Sequence, residues 1–93
     1  MRKTAKLKLG GHTWQVERHD MRVERLWGET IHFEKRIRLE KTMSGPQLDE
    51  TLIHECIHAV NNTMGHDLTE ETVRQLAVGL QQMLAPYLRV KGV

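Results

Sequence analysis

Apolar and polar residues alternate along KLKLGGHTWQVER, residues 6–18, on either side of a Gly-Gly pair. Period-two alternation interrupted by two glycines predicts a β-hairpin with its turn at Gly10 and Gly11 and with Leu7, Leu9, Trp14 and Val16 on the inner face. A second turn signal, Trp27-Gly28-Glu29, leads into IHFEKRIRLEK. There Ile31, Phe33, Ile37 and Leu39 predict one further strand, or two with a break near Glu34 to Arg36. The period then changes. The run LDETLIHECIHAVNNTM has helical spacing, with Ser44 as cap, Pro46 in the first turn and Gln47 at the capping-box position. This helix is expected to end near Met64 and Gly65. A second helix, EETVRQLAVGLQQMLA, follows a cap at Asp67 or Thr69 and stops at Pro86, with Val73, Leu76, Ala77, Leu80 and Leu84 as its core stripe.

Composition narrows the class. Ninety-three residues are expected to form a single domain, 1–93, with a modest core that a bound metal would help to hold together. The 14 Lys and Arg exceed the 12 Asp and Glu by only +2, too little to imply nucleic acid. The lone Cys56 excludes an intramolecular disulfide framework and falls on the apolar side of the first helix, where a buried thiol is expected. No stretch is apolar enough for a membrane span or a signal peptide, so a soluble, cytoplasmic protein is expected.

The chemistry lies in residues 54–58, His-Glu-Cys-Ile-His. On a helix His58 falls about 40° from His54 and Glu55 about 100° away, so the two imidazoles can share a metal while the glutamate reaches the same bound water. Ile53, Cys56, Ile57, Ala59 and Val60 lie across the axis, giving one apolar side and one chemical side. A catalytic zinc commonly has three protein ligands and one open position. In the extended motif HExxHxxGxxH the third histidine would fall at position 64, which here is Met64.

The other candidates for third ligand are Glu70, Glu71, His66 and Asp67. Glu70 sits on the margin of the second helix's core stripe, whereas Glu71 points away, and this favours Glu70 with Glu71 as its substitute. The bland reading of Glu70 is an acid in a first helical turn, at capping-box spacing from Asp67. Tyr87, His66, His32 and Arg89 are the polar residues that could stabilise an oxyanion. Asn62 could support His58, and His12 and His19 read as surface or turn residues.

These residues resemble the zincin-like metallopeptidases of the gluzincin type, most closely the small HExxH proteins of phages and prophages. The resemblance rests on the Trp27-Gly28 turn, the strand RIRL, the run ETLIHECIHAVNN and the following GHDLTEETVRQLAVGL, about residues 27 to 84. The segment ExxVxxLA is also similar to the helix that carries the third glutamate in ImmA/IrrE-like peptidases, which aligns with Glu70. The resemblance implies an α+β fold: a three- or four-stranded N-terminal sheet packed on the HExxH helix, with the second helix behind it. It also implies one Zn²⁺ per chain on His54, His58 and Glu70, with Glu55 as base.

The leading expectation is therefore a zinc metallopeptidase acting on a protein or peptide, with substrate bound at the sheet edge. The alternative is a zinc-containing binding or regulatory module without proteolytic activity. A nucleic-acid groove built on Lys6, Lys8 and Arg38 ranks below both, because outward Lys and Arg on strands are commonly solvated faces or protected edges. Oligomeric state is not encoded in any of these signals, and a His-His-Glu site accepts other divalent ions besides zinc.

Overall fold

The computed structural model describes residues 4–87, which form an α+β fold of four strands followed by two helices. Strands β1 (Thr4–Leu9) and β2 (His12–His19) are the two arms of the expected hairpin. Gly10 and Gly11 have φ of 57° and 83°, the left-handed pair that a tight hairpin turn requires. Strands β3 (Gly28–Ile31) and β4 (Arg36–Glu40) form a second antiparallel hairpin. The two hairpins join through parallel pairing of β2 with β4, giving the order β1-β2-β4-β3. The outer strands are thus β1 and β3.

The period-two pattern decides what each sheet face meets. Trp14 and Val16 of β2 and Ile37 and Leu39 of β4 are fully buried, and with Met43, Leu48 and Ala59 they make the core. Burial of side chains this size supplies about 1.5–3 kcal/mol each. On the opposite face Arg36 pairs with Glu17 and Glu34, and Arg38 with Glu24 and Glu29. These pairs neutralise Arg36 and Arg38 locally.

Helix α1 (Gly45–Thr63) lies across the sheet, and α2 (Glu70–Leu84) packs on α1 and on no strand. Several expectations differ from the observed fold. Ser44 is the N-cap residue of α1, but its side chain makes no capping hydrogen bond; Pro46 in the first turn holds as expected. Gly28 opens a strand, and the preceding turn falls at Arg22–Arg25, where Arg25 N–H donates to Arg22 O at 3.0 Å. Phe33 is 96% exposed because the chain between β3 and β4 turns at residues 32–35 instead of continuing as one strand. In α2 the buried residues are Val73, Ala77 and Gln81, whereas Leu76 is 43% exposed. A helix covered on one side only buries a narrower stripe than its apolar residues would allow.

Candidate metal centre

The site forms where the middle of α1 meets the first turn of α2. Asn61 closes the connection: its Oδ1 accepts from Leu68 N–H at 3.1 Å, and its backbone carbonyl accepts from His66 N–H at 2.9 Å. Gly65 takes φ of 71° to reverse the chain. Thr69 then caps α2, its hydroxyl accepting from Thr72 N–H at 3.1 Å, so Glu70 becomes the first helical residue. Capping thus fixes the position from which the Glu70 side chain reaches back to α1.

Its carboxylate meets both motif histidines. Oε1 lies 2.8 Å from His54 Nε2 and Oε2 lies 3.0 Å from His58 Nε2, and the two Nε2 atoms are 3.2 Å apart. One ligand atom from each of the three residues falls within a group no wider than 4.8 Å. Without an ion, each imidazole can donate its Nε2 proton to its own Glu70 oxygen; with both Nε2 atoms deprotonated, two nitrogen lone pairs and a carboxylate oxygen converge on one point, and such a His-His-Glu donor set suits zinc.

The competing ligands are placed elsewhere. Glu71 is bound by Arg74 and Gln75 on the exposed side of α2, and the Arg74 guanidinium holds its carboxyl below the ordinary range. His66 and Asp67 are exposed in the connection and belong to no cluster of possible metal ligands among the described residues.

Glu55 differs from the expectation of an open chemical side. It is buried, because α1 turns this residue towards β3. Thr30 Oγ1 donates to Glu55 Oε1 at 2.6 Å and also lies 3.0 Å from the Glu55 backbone carbonyl. Glu55 Oε2 has no hydrogen-bond partner among the described residues. Gly28 makes the approach possible: a Cβ at this position would lie 2.9 Å from Thr51 Cγ2 and 3.0 Å from Glu55 Cγ. Sequence reading missed Gly28, Thr30 and Asn61 as parts of the site. For Gly28 and Thr30 the signal was present as a glycine and a small hydroxyl at alternate positions of β3, which place both on the face towards α1.

Of the oxyanion candidates among the described residues, His32 is the one within electrostatic reach of His58 and Glu55. It continues the Gly28, Thr30 alternation by one step. Burial lowers its pKa below the ordinary 6.5, His58 and Lys35 act in the same direction, and Glu55 opposes them. Its Nδ1 is buried with no hydrogen-bond partner, and its ring stands edge-on to Trp14 at 6.2 Å. Tyr87 is 80% exposed, His66 is exposed, and Arg89 lies outside the described residues. Asn62 is exposed and makes no side-chain hydrogen bond among the described residues; the neighbouring Asn61 does the tethering.

Beside His54 and Glu55 opens a cleft of about 290 Å³, bounded by α1 on one side and by Arg25, Leu26 and Trp27 on the other. That second wall is anchored. Glu40 N–H donates to Trp27 O at 2.8 Å, and the Glu40 carboxylate accepts from Met21 N–H at 2.7 Å beneath the fully buried Met21 side chain. Comparison with protein-family models, curated proteins and solved structures returns no match.

Proposed function

We propose that this chain is a zinc-dependent hydrolase of peptide bonds, of the zincin-like kind its HExxH motif resembles. His54, His58 and Glu70 are the ligands of one ion per chain, and Glu55 is the base. The observation that carries this reading is the meeting of a carboxylate from α2 with both motif histidines, next to a second carboxylate that is buried and held by Thr30. These three residues would hold the zinc, which when bound would supply a more acidic water and polarise a carbonyl oxygen.

The chain's own residues do the rest. Thr30 occupies Glu55 Oε1, so Oε2 is the oxygen free to take a proton from the attacking water and return it to the leaving amine. His32, whose pKa burial lowers and which lies within electrostatic reach of His58 and Glu55, is the candidate donor towards the negative charge that would develop on the carbonyl oxygen. Strand β3 is an outer strand, paired only with β4 among the described residues, and it carries Gly28 and Thr30 against α1. An extended peptide added along its free edge would pass beside the site.

The test is Glu55→Gln with metal content measured in parallel. Peptide hydrolysis should fall by about 10²–10⁴-fold while the metal stays bound. Cleavage at the wild-type rate would exclude Glu55 as the base. An unchanged biological effect in the same variant would favour the binding-module reading.

A further inference from the structure

Resting on His32 as the donor proposed above, we infer that Trp14 is a positioning residue for it. The indole N–H holds His32 Nδ1 through one shared water and so keeps the imidazole proton on Nε2. The first observation concerns buried atoms. Three buried side-chain atoms have no hydrogen-bond partner among the described residues: Trp14 Nε1, Arg18 Nε and His32 Nδ1. Buried polar groups are seldom left so. Indole and guanidinium nitrogens only donate, so the imidazole nitrogen is the one of the three able to accept. The Arg18 guanidinium is engaged elsewhere, donating to the carbonyls of Glu40, Lys41 and Met43. Trp14 and His32 are ring neighbours, mutually perpendicular, with centroids 6.2 Å apart.

A buried donor and a buried acceptor on adjoining rings, not bonded directly, are the two partners that one interior water needs. Its oxygen accepts from the indole N–H, and it donates to the Nδ1 lone pair. A neutral imidazole that accepts at Nδ1 carries its proton on Nε2. His32 Nε2 is not buried, so the accessible nitrogen becomes the donor. In the opposite tautomer both rings donate, and the hydrogens of the water meet no buried side-chain acceptor left unpaired. The backbone holds the two rings together. Gln15 N–H donates to Lys35 O at 2.9 Å, and Lys35 Nζ donates to His32 O at 3.0 Å while lying 5.5 Å from the centre of the Trp14 ring. The turn that carries His32 is thus fastened to β2 beside Trp14.

The experiment uses the ¹⁵N-labelled full chain incubated with zinc, at about pH 8, where burial leaves His32 neutral. Long-range ¹⁵N–¹H correlation spectra show which nitrogen of each imidazole carries the proton, and His32→Ala assigns the His32 signals. The expected result is a single Nε2–H tautomer in the wild type and a mixture of tautomers in Trp14→Phe, which keeps an aromatic ring and loses the N–H. A proton on Nδ1 in the wild type, or an unchanged tautomer in Trp14→Phe, overturns the inference. Trp14 is fully buried, so a second measurement guards against a variant that does not fold. In the wild type the Trp14 indole proton should show an Overhauser contact with a long-lived water, and no such contact overturns the link. Kinetics then test the positioning role. Trp14→Phe should lower kcat roughly tenfold with KM and zinc stoichiometry near those of the wild type, and should cause no further loss in a His32→Ala background. An equal loss in both backgrounds overturns positioning through His32. If the wild type cleaves no peptide, the hydrolase reading fails by itself, and the tautomer judges the Trp14–His32 link alone.

Discussion

Glu70 and Glu71 are adjacent acids with opposite surroundings, and the difference comes from one helical step. Glu70 is turned onto His54 and His58, while Glu71 is turned onto Arg74. Substitution should separate them: Glu71→Gln leaves a ligand set intact, whereas Glu70→Gln removes a charged oxygen from it. Cys56 is a third residue whose environment fixes its chemistry. Burial pushes its thiol up to about 11, so almost no thiolate exists at pH 8. A thiol reagent at that pH should leave the folded protein unmodified and label it after denaturation, which mass spectrometry would show; rapid labelling of the native chain would contradict the assigned burial.

Glu40 shows the same logic in stability. Its carboxylate accepts from Thr42 Oγ1 at 2.6 Å and from the backbone N–H groups of Met21 and Thr42, and these donors hold its pKa below the ordinary 4.5. A depressed folded value contributes stability that is fully present above the unfolded value and is lost as pH falls through the folded one. Acid should therefore destabilise the wild type progressively below about pH 4.5, and Glu40→Gln should flatten that limb in denaturant titrations across pH. A wild-type curve with the same acid limb as the variant would exclude Glu40 as a contributor.

At the scale of elements, the site depends on two junctions. One is the packing of β3 on α1, where Gly28 admits Thr51 and Glu55. Gly28→Ala should cost about 1–3 kcal/mol through overpacking and should lower hydrolysis by displacing Glu55. The other junction is the start of α2. Thr69→Ala removes the cap and should cost about 1 kcal/mol, with metal affinity reduced because Glu70 is the next residue. Calorimetric titration with zinc would check the second effect; unchanged affinity would show that Glu70 is positioned independently of the cap.

The sequence announced these elements unevenly, for physical reasons. Alternation and the Gly10-Gly11 pair made the first hairpin legible, and helical spacing made His54 and His58 legible. Leu76 read as core because an apolar stripe on a helix does not say how much of it a neighbour covers. Phe33 read as a strand residue because the turn at 32–35 contains no glycine, and Lys35 supplies the positive φ of 54° instead. The parallel pairing of β2 with β4 joins residues about twenty positions apart, and no local pattern encodes which edges of two hairpins will meet.

The described residues form a four-stranded sheet, a helix across it and a second helix that among these elements packs on the first alone, and this layering explains why the proposed metal bridges α1 and α2. A ligand shared between two elements stabilises their contact, so removing metal with a chelator should lower Tm, and added zinc should restore it in proportion to saturation. No helix among the described residues is long and apolar enough to cross a membrane. Arg36 and Arg38 are engaged by glutamates, so these two side chains are poorly placed to meet phosphates.

A single metal ion held by His54, His58 and Glu70 would be visible in elemental analysis of the wild type, Glu70→Gln and Glu71→Gln, each purified without added metal and then titrated with zinc. One zinc per chain in the wild type and in Glu71→Gln, with loss in Glu70→Gln, is the predicted result. A wild type that neither retains nor takes up zinc, or a Glu70→Gln variant that binds it as the wild type does, would contradict the three-ligand site.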